Sequence, residues 1–303
     1  MKRFLDRHAS DLQMSKDELF KSIAASEGRI LFCETIDVVM PMLLDITNCE
    51  LAASMGADAL ILNLFDLENP SIMGLPPCEP QDVIRKVKEL TGRIVGLNLE
   101  AVDEVLDKNT MWGNISGRKA TAENAEKAVQ MGADFIVLTG NPGIGVTNEH
   151  IIKSLRAIRQ RLGEKILLIA GKMHGSGILS ECGQNIITAE DVQKFAQAGA
   201  DVILLPAPGT VPGITTEYVR QLVETAHAQD KLTMTAIGTS QEGADKDTIR
   251  EIALMCKMTG TDIHHLGDAG YIGMSLPENI MAYSIAIRGI RHTYRRIAAS
   301  IKR

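Results

Sequence analysis

Gly56-Ala57-Asp58 runs into ALILNLF, Gly132-Ala133-Asp134 into FIVLTG, Gly199-Ala200-Asp201 into VILLPA, and the variant Gly260-Thr261-Asp262 into IHHLGD. One phrase repeated along the chain, each time before a short apolar run, marks an internally repetitive architecture. Upstream of each phrase lies a stretch with apolar residues three and four apart: NCELAASM, AENAEKAVQM, AEDVQKFAQA and IREIALMCKM. That spacing predicts a helix, and the glycine ends it because it takes the left-handed cap without steric strain. Between the phrases sit four more apolar runs, each led in by a basic residue: Arg29 before ILFCETI, Arg93 before IVGLNLE, Lys165 before ILLIAGK and Lys231 before LTMTAIG. Helix starts are written in as well. Ser15-Lys16-Asp17-Glu18 and Thr188-Ala189-Glu190-Asp191 both have the form of capping boxes.

Short apolar strands alternating with helices require parallel pairing, since parallel neighbours need crossover connections. Four near-equal βαβα units favour a closed (β/α)8 TIM barrel over an open doubly wound sheet, and the length suits the roughly 250 residues typical of such barrels. The expected organisation is one domain over residues 1–303: an N-terminal helical extension (1–28), the barrel (29–276) and a C-terminal helix (277–303).

The bulk properties agree. The 303 residues are 45% hydrophobic and 23% charged, with a net charge of −6 that is not gathered into blocks. Mixed, mildly acidic charge offers no footprint for nucleic acid or an anionic membrane. The basic segment RGIRHTYRRIAASIKR (288–303) is read as the solvated face of the last helix. No run approaches the roughly eighteen apolar residues of a membrane span. The opening MKRFLDRHASDLQMSKDE lacks the apolar centre of a secretory signal. Cys33, Cys49, Cys78, Cys182 and Cys256 are scattered and odd in number, forming neither a disulfide framework nor a CxxC motif, which points to a reducing cytoplasm. The extra terminal helices lead us to expect a homo-oligomer.

Connections entering the strands are tight, whereas those leaving them are long and rich in Gly, Pro and polar residues: 63–81, 100–120, 139–148, 172–188, 206–215, 238–247 and 267–277. In this fold the segments leaving the strands form the catalytic face. Lys172 ends the fifth strand among apolar neighbours, where desolvation favours a neutral amine able to form a Schiff base or act as a base. Alternatively it contacts substrate, or pairs with Glu100 or Asp201. His174 follows the same strand, and His264 and His265 share the eighth. Strand alternation sends one of that pair inward, able to serve as acid, base or metal ligand, and the other toward the helices. Glu34, Asn63, Asp66, Asn98, Glu100 and Asn141 end other strands and could hold a divalent ion or relay protons. The loop Thr139–Gly145 contains Gly-x-x-Gly-x-Gly, whose order differs from the dinucleotide fingerprint, so it is read as a rim loop. Trp112, in the long segment 101–120, suits a lid or a subunit contact.

Two further loops suggest an anion site. Gly238-Thr239-Ser240 follows the seventh strand and Gly267-Asp268-Ala269-Gly270 the eighth, where barrels often bind phosphate through backbone N–H groups. GTDIHHLGDAG resembles the strand-eight segment of the phosphate-binding barrel superfamily, which implies phosphate contacts there. The repeats together with GTSQEGAD resemble an uncharacterised bacterial TIM-barrel family sometimes labelled haloacid dehalogenase-like and found in sugar-uptake settings. The true dehalogenase signature, Asp-x-Asp after a first strand, is not met: the nearest phrase, Asp45-Ile46-Thr47, has threonine at the second position. PMLLDITNCELAASMGADALIL resembles part of the phosphoenolpyruvate mutase and isocitrate lyase group. The acidic runs and cysteine motif of that group are absent, so its chemistry does not carry over.

The reading that results is an enzyme of carbohydrate metabolism, a lyase/aldolase or isomerase/epimerase acting on a phosphorylated sugar or keto acid. Lys172, His174, His265 and Glu100 are its catalytic candidates. Asn63, Asn98, Asn141, Gly238, Thr239, Ser240, Gly267, Asp268 and Gly270 are its binding candidates. The substrate partner is expected to be small and anionic, and no cofactor is required by this pattern. The alternatives are a metal-dependent enzyme built on Glu34, Glu100, His265 and Asp268, and a barrel that binds a metabolite without turning it over.

Overall fold

The computed structural model describes residues 2–102, 116–140, 145–175 and 179–303. Eight parallel strands close in sequence order: β1 (Ile30–Ile36), β2 (Ala59–Asn63), β3 (Ile94–Glu100), β4 (Phe135–Thr139), β5 (Leu167–Gly171), β6 (Val202–Pro206), β7 (Leu232–Ile237) and β8 (Ile263–Leu266), with β8 hydrogen-bonded back to β1. The helices are α1 (Lys16–Ala24), α2 (Asn48–Ser54), α3 (Val83–Thr91), α4 (Ala122–Met131), α5 (Asn148–Leu162), α6 (Ala189–Ala198), α7 (Thr216–His227), α8 (Lys246–Met258) and α9 (Pro277–Ala298). α1 precedes the barrel, α2 to α8 join successive strands, and α9 follows β8. Both expected capping boxes form, at Ser15 and Thr188.

The repeated aspartate has a definite job. Asp58 accepts the Leu31 N–H at 2.8 Å, Asp134 the Val95 N–H at 2.9 Å, Asp201 the Leu168 N–H at 2.9 Å and Asp262 the Thr233 N–H at 2.8 Å. Each carboxylate thus ties the start of an even-numbered strand to the second residue of the odd-numbered strand before it. The tie satisfies an amide at the sheet's lower edge and fixes the register of each pair.

Two apolar layers follow from strand alternation. Inside, Ile30, Phe32, Ile61, Val137, Ile169, Leu204 and Met234 fill the lumen. The Phe32 and Phe135 rings pack tilted by 39° with centroids 5.0 Å apart. Gly96 makes room for them, since a Cβ there would lie 2.4 Å from the Phe135 ring. Phe4, Leu5, Leu19 and Ile23 of the N-terminal extension join this inner cluster and plug the barrel floor. Outside, the other side chains of each strand pack under the helices.

The C-terminal segment departs from expectation. Arg288 and Arg296 are buried rather than solvated, and both reach Asp58: the Arg288 guanidinium bonds its Oδ2, and Arg296 Nε lies 2.7 Å from Oδ1. Buried charges persist only when paired, and the aspartate at the first repeat supplies the partner. Gly289, at φ 75°, kinks α9 so that both arginines turn inward. Among the described residues no helix is long and apolar enough to cross a membrane. All five cysteines are free.

Candidate functional site

The same alternation that fills the lumen with apolar residues places polar ones above them. Glu34, Asn63, Asn98, Glu100, Thr139 and His265 occupy the next inward positions at the C-terminal ends of β1, β2, β3, β4 and β8. Above this layer opens a cavity of about 340 Å³, within the size range of small-molecule sites. Glu34, Asn63, Asn98, Glu100, Arg118 and Thr139 form one part of its wall, and His174, Gly238, Gly267, Asp268, Gly270 and Tyr271 contribute the rest from loops.

The polar groups are held in pairs. Asn63 Nδ2 donates to Asp268 Oδ2 at 2.7 Å, and Asn98 Nδ2 donates to Asn63 Oδ1 at 3.3 Å. His265 Nε2 lies 3.3 Å from Glu34 Oε2. The Arg118 guanidinium bonds Glu100. Asn98 Oδ1 and Thr139 Oγ1 are buried without a hydrogen-bond partner among the described residues, so two wall atoms retain hydrogen-bonding capacity for a ligand.

The electrostatics follow from crowding carboxylates in a confined space. Burial, and then the charge of Glu34, push the Asp268 carboxyl up to about 7, against the opposing hydrogen bond from Asn63. Burial raises Glu100 as well, opposed by Arg118. Glu242, at the top of α8's leading turn, is also raised by burial and eased by backbone N–H bonds, including that of Ala269. His174 is lowered by burial and then by the nearby Lys172 ammonium, which favours neutral imidazole.

Of the two strand-eight histidines, His265 faces inward. His264 faces the helices, with Nδ1 2.9 Å from the Tyr283 hydroxyl and Nε2 3.1 Å from the Gly28 carbonyl. Burial drives its pKa down to about 3, so it is a neutral core residue.

Three sets of expected residues find partners within the protein. Lys172 follows Leu168 and Ala170 in the outward alternation of β5, is 1% exposed, and does not line the cavity. Its ammonium bonds Glu181 in a short 3-10 turn, rather than Glu100 or Asp201. Asp201 is taken by Lys16 and Arg159. Met173, one residue on, is the side chain that turns inward, lying across Gly238, where a Cβ would sit 2.0 Å from its sulfur.

The anion loops are also occupied from within. The Ala269 N–H donates to Glu242 at 2.9 Å and the Gly270 N–H to Asp268 at 2.8 Å. Thr239 Oγ1 donates to the Thr210 carbonyl at 2.9 Å, and Ser240 adopts φ 74° in the same turn. Carboxylates therefore stand where a phosphate would seek amides. The metal candidates are likewise divided among different partners. Among the described residues no three His, Cys, Asp or Glu side chains are placed to hold an ion together. Asp66 stays in its own loop, accepting the Glu68 N–H at 2.9 Å. Asn141 and Trp112, and the glycine-rich run from 141 to 144, lie outside the described residues.

Arg118 and Glu181 were not anticipated. Arg118 sits in a loop whose sequence, SGRK, gives no hint of burial, and Glu181 shows itself only through its pairing with Lys172.

Comparison with known proteins adds the family and the fold. No curated protein matches the chain. Among solved structures, a Schiff base-forming fructose-1,6-bisphosphate aldolase is 14% identical, with 90% of this chain and 99% of that one covered and a TM-score of 0.56. A thiamine phosphate pyrophosphorylase from Pyrococcus furiosus is 13% identical, with 86% and 96% covered and a TM-score of 0.49. The aldolase likeness, at such identity, speaks to the barrel alone. Neither these structures nor the family match supports a haloacid-dehalogenase-like label. The family model described as "Domain of unknown function (DUF7916)" matches residues 5–303, and the chain belongs to that family.

Proposed function

We propose that the barrel mouth is the active site of a lyase or isomerase that moves a proton on a short sugar or keto acid, with Asp268 as the acid/base. The observation that carries this reading is a cavity-lining carboxyl raised to about 7 and oriented by Asn63. A general base is most useful when its pKa lies near the working pH, because it then both accepts and returns the proton. Asp268 takes the proton from the carbon next to the substrate carbonyl, or from a hydroxyl whose loss of a proton breaks the adjoining carbon–carbon bond. The electron pair moves onto the carbonyl oxygen. The Arg118 guanidinium, which lines the cavity and is held by Glu100, stabilises that oxyanion. Neutral His174 supplies a second proton carrier on the β5 side. Asn63, Asn98 and Thr139 suit substrate hydroxyls. With Glu34, Glu100 and Asp268 in the wall against the single cation Arg118 among its described residues, any anionic group on the substrate belongs at Arg118.

The test is solvent exchange. Aldoses, ketoses and 2-keto acids are incubated with the protein in deuterium oxide and followed by NMR. Deuterium entering beside the carbonyl, or new product signals, that disappear with Asp268→Asn support the reading. No exchange across the panel, or exchange undiminished in Asp268→Asn, overturns it.

A further inference from the structure

The β1–α2 connection carries an apolar surface that its own chain leaves uncovered. Val38, Met40, Met42, Leu43, Leu44 and Ile46 are each between 41% and 69% exposed. Asp45 is the one charged residue from 38 to 46. The loop is pinned in this shape. The Met42 N–H donates to Asn48 Oδ1 at 3.1 Å, the Leu44 N–H to the Pro41 carbonyl at 3.2 Å and the Met73 N–H to the Asp37 carbonyl at 3.0 Å. Met73 extends the surface on one side, and Tyr271 and Ile272 extend it on the other, where Gly273 packs against Val39.

A monomer rarely exposes a contiguous apolar patch beyond a few hundred Å². By their fractional exposures these nine residues present on the order of 900 Å², close to the roughly 800 Å² per partner of a standard protein interface. A polar or charged partner would gain little from such a surface. An equally uncharged one matches it, and the molecule that always carries it is a second copy, which a two-fold axis sets patch against patch. Elsewhere among the described residues the exposed large apolar side chains are Leu179, Leu254 and Met258 on α8, Ile285, Ile290 and Tyr294 on α9, and Ile301, and those on α8 and α9 are interspersed with Glu251, Lys257, Arg291 and Arg295. That makes an ordinary mixed surface.

We propose that the protein forms a two-fold dimer through the 38–46 loop with Met73, Tyr271 and Ile272. Tyr271 belongs to both the patch and the cavity wall, so the dimer contact runs along the rim of each mouth. This assignment is independent of the chemistry proposed above.

Sedimentation equilibrium over a hundredfold concentration range tests it, on the wild type, on Met40→Asp/Leu44→Asp and on the α8 control Leu254→Asp/Met258→Asp. The expected result is a dimer of the 32.9 kDa chain, a loop variant that sediments as a folded monomer by circular dichroism, and a control that remains dimeric. If the aspartates disturb the fold, Met40→Ser/Leu44→Ser weakens association at least tenfold instead. A wild type monomeric throughout, which leaves the surface to some other partner, overturns the proposal. So does any assembly that survives the folded loop variants, or one that only the α8 control dissociates.

Discussion

Asn63 Nδ2 and Asp268 Oδ2 meet at 2.7 Å, tying the end of β2 to the loop after β8. The amide favours the ionised carboxylate, while burial and Glu34 favour the neutral acid, and the balance falls at about 7. If Asp268 must be ionised to accept a proton, activity rises with pH through that value. Removing the amide in Asn63→Ala moves this limb to higher pH, because the charged form loses its donor. Asp268→Asn lowers kcat/KM by about 10² to 10⁴-fold, the usual share of general base catalysis. The pH profile of kcat/KM, measured with whichever compound shows exchange, reads all three. A limb that stays in place in Asn63→Ala would separate Asp268 from the proton transfer.

The same carboxyl makes a prediction about stability that needs no substrate. Its native value of about 7 lies above the ordinary 3.8, so between those values the folded protein holds more proton than the unfolded one. Stability from this group is therefore full below about pH 4 and falls as pH rises through 7. Asp268→Asn removes that penalty. The variant should be more stable than wild type at pH 8 by about 2 kcal/mol, after discounting for partial solvent access. The two should converge near pH 4. Thermal midpoints across that range check it, with a gain of several degrees expected at the alkaline end.

The four repeat aspartates make equivalent backbone bonds but differ in what else they hold. Asp58 and its partner Arg288 have side chains 0% exposed, whereas His227, the partner of Asp262, is 42% exposed. Removing one member of a buried pair strands the other charge, which costs about 3–5 kcal/mol. Asp58→Ala should therefore unfold the protein at much lower denaturant than Asp262→Ala, whose cost is about 1 kcal/mol from the lost hydrogen bonds. Equal midpoints in urea would show that the first repeat is not the anchor of the C-terminal helix.

The barrel was legible because Gly-Ala-Asp combines a helix stop, a tight turn and a strand tie in three adjacent residues. Such local codes survive in sequence. The mouth was half legible: position at a strand end identified Glu34, Asn63, Asn98, Glu100 and Asp268 as wall residues. Pairing was not, because it depends on contacts far apart in the chain. Arg118 on Glu100 joins residues 18 apart, and Arg288 on Asp58 joins residues 230 apart. The basic C-terminal segment looked solvated for the same reason, its acidic partner lying in the first repeat.

Lys172 marks the same limit and can be tested chemically. Buried against Glu181 and absent from the cavity lining among the described residues, its amine is shielded from a carbonyl compound. Borohydride reduction in the presence of the same sugars and keto acids should leave Lys172 unmodified in peptide mass spectra. A reduced adduct on that residue would return it to the chemistry and replace proton transfer by a Schiff base.

Adjacent residues of β8 should separate stability from function. His264 joins Tyr283 of α9 to the Gly28 carbonyl, and its pKa of about 3 means the native state refuses a proton that the unfolded chain accepts near 6.5. Its contribution is fully present above pH 6.5 and is lost as pH falls toward 3. In His264→Phe, the buried Tyr283 hydroxyl and the half-buried Gly28 carbonyl each lose a partner, at a cost of about 2 kcal/mol. The acid side of the stability profile becomes shallower, and turnover at neutral pH stays close to wild type. His265→Phe, one position on, removes the imidazole facing Glu34 from the inner polar layer. It should reduce kcat by at least tenfold. Urea midpoints and turnover measured on both variants give four numbers, and the reverse assignment of stability and activity would place the wrong histidine inside the barrel.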